Sequence, residues 1–335
     1  MRGHRILSAV DTTIGDLGEF GAIARVTPGF PQTDDVILGI GDDAAVVRAP
    51  DRRVVATTDL LVEGRHFRRD WSSARDIGHK AAAQNIADVV AMGARPTALL
   101  IGLAAPPDLP ASWLDDFALG VRAECARVGG TVVGGDTTRS ADGAITLSVT
   151  ALGDLGGRDP IVRSGARVGD RVAVAGRLGW SAAGLALLTH GIDEGPCVGA
   201  HRRPEPLYAA GMSAGATGAT AMADVSDGLV ADLGHIAAAS GVGVELDASL
   251  LGEPAELREA REWLATRDIT GDLREWQLAG GEDHSFAATF PPDGDPPPPW
   301  RVIGVVTEGE GVRVDGRNVA RGGWDHFGPA SERSD

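Results

Sequence analysis

Apolar and polar positions follow two periods along this chain, near two and near 3.6 residues, and the switches between them mark the predicted elements. In the first half, Val36–Ile40, Val54–Thr58, Leu99–Leu103, Thr131–Val133 and Ile145–Leu152 read as strands. Ser72–Ala94 and Ser112–Val128 read as helices, each opened by a serine N-cap. The second half repeats the style with strand Arg171–Ala175, helix Ser181–Thr189, strand Ala221–Val225, helix Leu229–Ser240 and strand Gly243–Leu246. Pro291–Pro299 reads as a proline-rich loop, followed by a strand pair around Glu308–Gly311. The glycine-rich stretch Gly153–Gly157 leads into Arg163-Ser164-Gly165 and separates the halves, so two domains are expected, residues 1–153 and 154–335. No repeat of solenoid period is visible, and the polar tail Gly328–Asp335 predicts a loose end.

A length of 335 residues gives each half enough chain to bury its own core. The balance of 47 acidic against 31 basic residues leaves a charge of −16. That excludes the broad basic footprint needed for nucleic acid or an anionic membrane. Lys80 is the only lysine, and it sits inside a helical pattern. P-loop, protein-kinase and Schiff-base chemistries, which each need a lysine in another context, are therefore excluded. Cys125 and Cys197 are too few for a disulfide framework, and Cys125 falls on the apolar stripe Leu114, Phe117, Val121, Cys125, Val128. The apolar stretch Ile6–Val10, ended by Asp11, is too short for a signal peptide, and Thr97–Ala105 is half a membrane span. A soluble cytoplasmic protein is expected.

The acids are unevenly spread. Gly41-Asp42-Asp43, Gly134-Gly135-Asp136, Asp224-Val225-Ser226-Asp227-Gly228 and Gly280-Gly281-Glu282-Asp283 each place carboxylates beside glycine where a strand ends, and Thr57-Thr58-Asp59 does so without the glycine. One such turn is ordinary turn chemistry, but strand ends are where α/β proteins bind ligands. Gly39-Ile40-Gly41-Asp42-Asp43-Ala44 imitates a dinucleotide fingerprint, yet two carboxylates would repel a pyrophosphate and Ala44–Val47 reads as strand. A hard cation such as Mg2+, which takes oxygen ligands and bridges to phosphates, suits the segment better. In the first long helix, Asn85 and Asp88 adjoin the apolar stripe Ala82, Ile86, Val89, Gly93, so a cation or an arginine must compensate the carboxylate. Asp115 and Asp116 start the next helix, where acids are ordinary.

These segments, from Gly18-Glu19-Phe20 to Gly323-Trp324-Asp325-His326-Phe327, resemble the thiamine-monophosphate kinases of the aminoimidazole-ribonucleotide-synthetase-like superfamily. The matching stretches include Asn85-Ile86-Ala87-Asp88, Ala91-Met92-Gly93-Ala94, Glu63-Gly64-Arg65-His66-Phe67 and Arg163-Ser164-Gly165-Ala166, together with the acidic turns above. The resemblance implies an α/β fold of the α+β type, with mixed sheets flanked by helices. It implies an N-terminal half that binds ATP and Mg2+ and pairs into a homodimer, and a C-terminal half that completes the site. The implied reaction is transfer of the γ-phosphoryl of ATP to thiamine monophosphate. Implied ligands of several Mg2+ ions are Asp43, Thr57, Thr58, Asp59, Asp88, Asp136, Asp224 and Asp227, with Asp43, Asp88 and Asp224 central to catalysis. Gly135, Asp136, Arg163 and Ser226 would contact ATP, and His66, Glu282 and Trp324 the substrate. The sequence departs from the family's usual pattern at Trp180, Leu207 and His284. Rival readings are an aminoimidazole-ribonucleotide-synthetase-like enzyme and a non-catalytic Mg2+- or nucleotide-binding protein.

Overall fold

In a computed structural model that describes residues 12–41, 43–293 and 295–319, the elements sort into two folding units. One takes the chain up to Val90 and Ala94–Asp159; the other takes Ala91–Gly93 and the chain from Pro160 onward. Ile6–Val10, Asp11, Asp42, Trp324 and the tail Gly328–Asp335 lie outside the described residues.

The first unit runs α1 (Ile14–Val26), β1 (Val36–Leu38), β2 (Val46–Val47), β3 (Val55–Val62), α2 (Ala74–Ala91), β4 (Arg95–Ala105), α3 (Ala111–Ala126), β5 (Thr131–Arg139) and β6 (Thr146–Asp154). β3, β6, β4 and β5 form a four-stranded sheet in that order, antiparallel except for the β4–β5 pair. Along β6 burial alternates strictly, so Leu147, Val149 and Ala151 pack inward while Ser148 and Thr150 face the other way. α2 lies on the inward face, where the alternating Thr57, Asp59 and Leu61 of β3 also point. The opposite face is partly covered by the β1–β2 ribbon, through Val36, Ala45 and Val47 against Ala98, Leu100, Val133 and Leu152. α2 and α3 cross at two glycines. A Cβ at Gly120 would stand 2.1 Å from the Arg75 carbonyl oxygen, and one at Gly78 2.1 Å from that of Phe117.

Both serine caps need correction. Ser73, not Ser72, opens α2, in a capping box with Asp76: the Asp76 amide donates to Ser73 Oγ at 3.2 Å and the Ser73 amide to Asp76 Oδ2 at 3.0 Å. α3 starts after Pro110, whose side chain has no acceptor to cap it, and the Thr12 carbonyl takes the Ala111 amide at 2.8 Å. β5 outruns its apolar core Thr131–Val133 because its polar end continues to pair with β4.

The second unit runs β7 (Arg171–Ala175), α4 (Trp180–Thr189), α5 (Pro196–Arg202), α6 (Tyr208–Ser213), β8 (Ala221–Val225), α7 (Leu229–Ser240), β9 (Gly243–Leu246), α8 (Ala255–Ala265), α9 (Leu273–Ala279), β10 (Ser285–Phe290), β11 (Arg301–Thr307), β12 (Gly311–Val314) and β13 (Arg317–Asn318). Its seven-stranded sheet has the order β13-β12-β9-β11-β7-β10-β8, with only β12–β9 parallel. The strands flanking Glu308–Gly311 are therefore not each other's partners: β9 lies between β11 and β12. Val172, Val174, Leu233, Ile236, Val244, Leu246 and Ile303 form the core under α7.

Candidate active site

In the first unit β3 and α2 bring Asp59 and Asp88 to one side of the sheet. Thr57 Oγ1 donates to Asp88 Oδ2 at 2.9 Å. Asn85 Oδ1, on a side chain with no exposure, accepts the Asp59 amide at 3.2 Å, and Gln84 Nε2 donates to Asp59 Oδ2 at 3.2 Å. A mostly buried helix thus turns a polar edge, Gln84, Asn85 and Asp88, toward two oxygen-bearing residues of an edge strand. The half-buried Asp88 meets a threonine hydroxyl.

Period two separates the rest. Thr58 points to the other face, where its Oγ1 donates to the Val149 carbonyl at 3.1 Å and lies 3.1 Å from Thr150 Oγ1. The register Leu60↔Ser148↔Gly102↔Asp136 puts Asp136 on that same face. The exposed Asp43 sits in the connection between β1 and β2, the ribbon that covers this face. The first unit's implied ligands therefore divide, with Thr57, Asp59 and Asp88 on one face and Thr58 and Asp136 on the other. Gly135 has a steric reason to be glycine, since a Cβ there would fall 1.9 Å from the Ile101 carbonyl oxygen across β4. His66 follows β3 in a tight turn, where its Nδ1 accepts the Val62 amide at 3.0 Å.

In the second unit Asp224, next to last in β8, has 4% exposure, and its Oδ2 lies 3.1 Å from His284 Nδ1. Asp227 follows in the turn before α7. The carboxylate of Asp232, in the first turn of α7, collects the amides of Ser226, Asp227 and Gly228, each at 3.1 Å on Oδ2. Burial, reinforced by the charges of Asp224 and Asp227, pushes the Asp232 carboxyl up to about 7 despite those amides. Asp227, Asp232 and His235 are the one group of three His, Cys, Asp or Glu residues among the described residues whose ligand atoms all lie within 4.8 Å of one another.

The Glu282 segment lies against the same turn: its amide donates to the Ser226 carbonyl at 2.7 Å, and the His284 amide to that of Val225 at 2.9 Å. Ser226 and Glu282 are thereby neighbours. Glu282 and His284 both adopt left-handed backbone, at φ 63° and 50°, a conformation that costs about 1–3 kcal/mol for such residues. Between them the buried Asp283 accepts the amides of Gly179 and Ser181 at the start of α4, and burial pushes its carboxyl up to about 7. Arg163 is not brought to Ser226. It is exposed in a short turn whose carbonyl accepts Ser240 Oγ at 2.8 Å, at the far end of α7. At about 1.5 Å rise per residue, the length of that helix separates the two.

Four residues that position the implied ligands are not read from the sequence as part of the site. Asp232 looks like any first-turn acid, Gln84 like a surface residue, Asp283 like part of a turn, and His284 like a simple departure from pattern. Gln84, Asp283 and His284 find their partners far away in sequence, whereas Asp232 finds its three amides in the turn just before α7.

Residues 41–155 match the AIR synthase related protein N-terminal domain, and residues 167–277 its C-terminal domain. Thiamine-monophosphate kinase of Mycobacterium tuberculosis is 46% identical over 96% of this chain and 95% of its own length. That of Aquifex aeolicus is 37% identical over 93% and 99%. Among solved structures, AaThiL complexed with AMPPCP and TMP superposes with a TM-score of 0.75 at 36% identity, covering 94% of this chain and 99% of that one. Hydrogenase maturation protein HypE, at 19% identity and a TM-score of 0.68, shares the fold alone. With near-complete coverage on both sides at 37–46% identity, the chain belongs to the thiamine-monophosphate kinase family.

Proposed function

We propose that the protein transfers the γ-phosphoryl group of ATP directly to thiamine monophosphate, yielding thiamine diphosphate and ADP. One observation carries the reading: end-to-end likeness to thiamine-monophosphate kinases, at 46% identity over 96% of the chain. In this proposal residues 1–153 bind ATP and Mg2+ and pair with a second copy, and residues 154–335 complete the nucleotide and substrate site. Pairing is supported by β3, an edge strand, and by Leu60, which stays 58% exposed on the sheet face shared with Asp136. Free buried Cys125 and Cys197 suit a reducing cytoplasm, and no helix among the described residues is long and apolar enough to cross a membrane.

The donor chemistry fits magnesium. The implied ligands Asp43, Thr57, Thr58, Asp59, Asp88, Asp136, Asp224 and Asp227 offer only oxygens, as that ion requires. The Asp232 carboxyl is raised first by burial and then by the charges of Asp224 and Asp227, and a cation beside these two would relieve the second effect. Thr58, whose hydroxyl is committed to Val149 and Thr150, enters the proposal only through its main chain. When bound, the ions supply neutralisation of the phosphate oxygens.

The attacking group is a phosphate oxygen whose second pKa is about 6, so a general base, typically worth about 10²–10⁴-fold, has little to do. Repulsion is the obstacle: at about 4 Å and an effective dielectric near 20, each pair of unit charges costs roughly 4 kcal/mol. The chain answers it by holding carboxylates still. Thr57 orients Asp88, Asn85 and Gln84 orient the Asp59 strand, and Asp232 fixes the turn that carries Ser226 and Asp227. Gly135, Asp136, Arg163 and Ser226 are proposed to hold ATP, and His66, Glu282 and Trp324 thiamine monophosphate. Purified protein with ATP and Mg2+ is to be offered thiamine monophosphate or formylglycinamidine ribonucleotide. Thiamine diphosphate is expected; product only from the second compound, or from neither, refutes the proposal.

A further inference from the structure

The single lysine of the chain is buried. Lys80 is 2% exposed in α2, and its Nζ donates to the main-chain carbonyl of His66 at 2.9 Å. The turn it reaches is closed on itself. The Arg65 and His66 amides both donate to the Val62 carbonyl at 3.0 Å, and the Gly64 amide to that of Phe67 at 2.8 Å. Glu63 ties the turn outward, to Arg69 Nε at 2.6 Å and to the Ile145 amide at 2.9 Å.

Inside this frame the imidazole has one orientation and one usable proton. The Val62 amide stands 3.0 Å from His66 Nδ1, and an amide nitrogen can only donate. Nδ1 must therefore present its lone pair, which leaves the proton of the neutral ring on Nε2. Protonating Nδ1 would set one N–H against another and break the contact. We propose that His66 is fixed as the neutral Nε2–H tautomer, a directional donor to an acceptor atom of the phosphoryl-accepting substrate, with Lys80 as the positioning residue that sets the bond's direction. The proposal rests on reading His66 as a substrate contact. It assigns the ring neither general-base work at Nδ1 nor an imidazolium charge, and it gives the buried lysine a task that needs no contact with ATP or thiamine monophosphate.

The test uses the full chain labelled with 15N at histidine, with the His66 signals identified by their loss in His66→Gln. Near neutral pH, nitrogen–proton correlation spectra should show the Nε2–H pattern for His66; an Nδ1–H or imidazolium pattern overturns the proposal. In kinetics, His66→Gln keeps an N–H near the place of Nε2, whereas His66→Asn moves it toward that of Nδ1. KM for thiamine monophosphate should be about tenfold higher in the Asn variant than in the Gln variant, a split expected for one lost donor; equal or reversed values count against it. Lys80→Met should raise KM about tenfold while kcat stays within about threefold, the mark of weakened binding, and should blur the tautomer pattern. Unchanged KM and spectra would remove Lys80 from the proposal. Where Lys80→Met fails to fold, the spectrum of the unsubstituted protein still decides the tautomer. Absence of turnover beside an intact Nε2–H pattern would refute the assigned reaction and uphold the tautomer.

Discussion

Gly120→Ala couples packing to catalysis most directly. The added methyl would lie 2.1 Å from the Arg75 carbonyl oxygen and 2.8 Å from the His79 amide nitrogen, and real Cβ atoms do not come under 3.0 Å. Relieving the first contact moves α2 away from α3 by at least 0.9 Å, the difference 3.0 − 2.1. Neither neighbour is a flexible side-chain tip, so the helix must shift as a body. Overpacking of this kind costs about 1–3 kcal/mol, offset by up to about 1 kcal/mol of improved helix propensity. A net loss of up to about 2 kcal/mol leaves a domain of ordinary stability folded. The shift also carries Lys80, Gln84, Asn85 and Asp88, which lie on α2, and a misplacement near 1 Å can lower a rate by about 10²-fold. The assay pairs urea unfolding with steady-state kinetics, and Gly234→Ala in α7 is the control. That position has nothing within 4 Å of a new Cβ, so it should gain up to about 1 kcal/mol. A Gly120→Ala protein with wild-type stability and full activity would refute the argument that this glycine contact sets the placement of α2.

Asp88→Asn should lower kcat by about 10²-fold or more while the unfolding midpoint stays close to wild type, because a charge is lost and the shape kept; undiminished turnover would remove Asp88 from the metal site. The Asp283 carboxyl, raised by burial from 3.8 to about 7, contributes stability that is complete below about pH 4 and is lost as pH rises through about 7. Asp283→Asn cannot ionise, so urea midpoints measured from acid to mildly alkaline pH should fall less steeply than in the parent, and parallel profiles would contradict the burial argument. Cys125 and Cys197, both pushed up to about 12 by burial, should resist thiol reagents near pH ~8 until the chain is unfolded in urea. Fast labelling of the native protein would show that one of them reaches solvent.

Much of the architecture could be read along the chain where an element buries an apolar core. Arg171–Ala175, Ala221–Val225, Leu229–Ser240 and Gly243–Leu246 coincide with β7, β8, α7 and β9. Reading failed where the signal was not periodic or not local. β10, Ser285–Phe290, is buried at every position and therefore lacks alternation. The end of β5 is held by its partner rather than by its own hydrophobicity, whereas β3 runs on past Thr58 through the apolar Leu60, Leu61 and Val62 and outlasts the predicted strand. α8 carries a clear apolar stripe, Leu257, Ala260 and Leu264, and was still not predicted.

The same boundary runs through the site. Residue types, and their position at strand ends beside glycine, depend on covalent neighbours alone; so do the exclusion of lysine chemistry and the gathering of acids that suits Mg2+. Partnership depends on which strands pair and how helices cross, and no local spacing encodes that. Adjacent in sequence, Thr57 and Thr58 fall on opposite faces because a strand alternates, and only the position of α2 decides that the Thr57 face meets Asp88. Lys80 was legible as an exclusion. Its contact with the His66 carbonyl arises only when the turn after β3 folds back onto α2, because a buried ammonium-bearing side chain must find an acceptor wherever the tertiary structure supplies one.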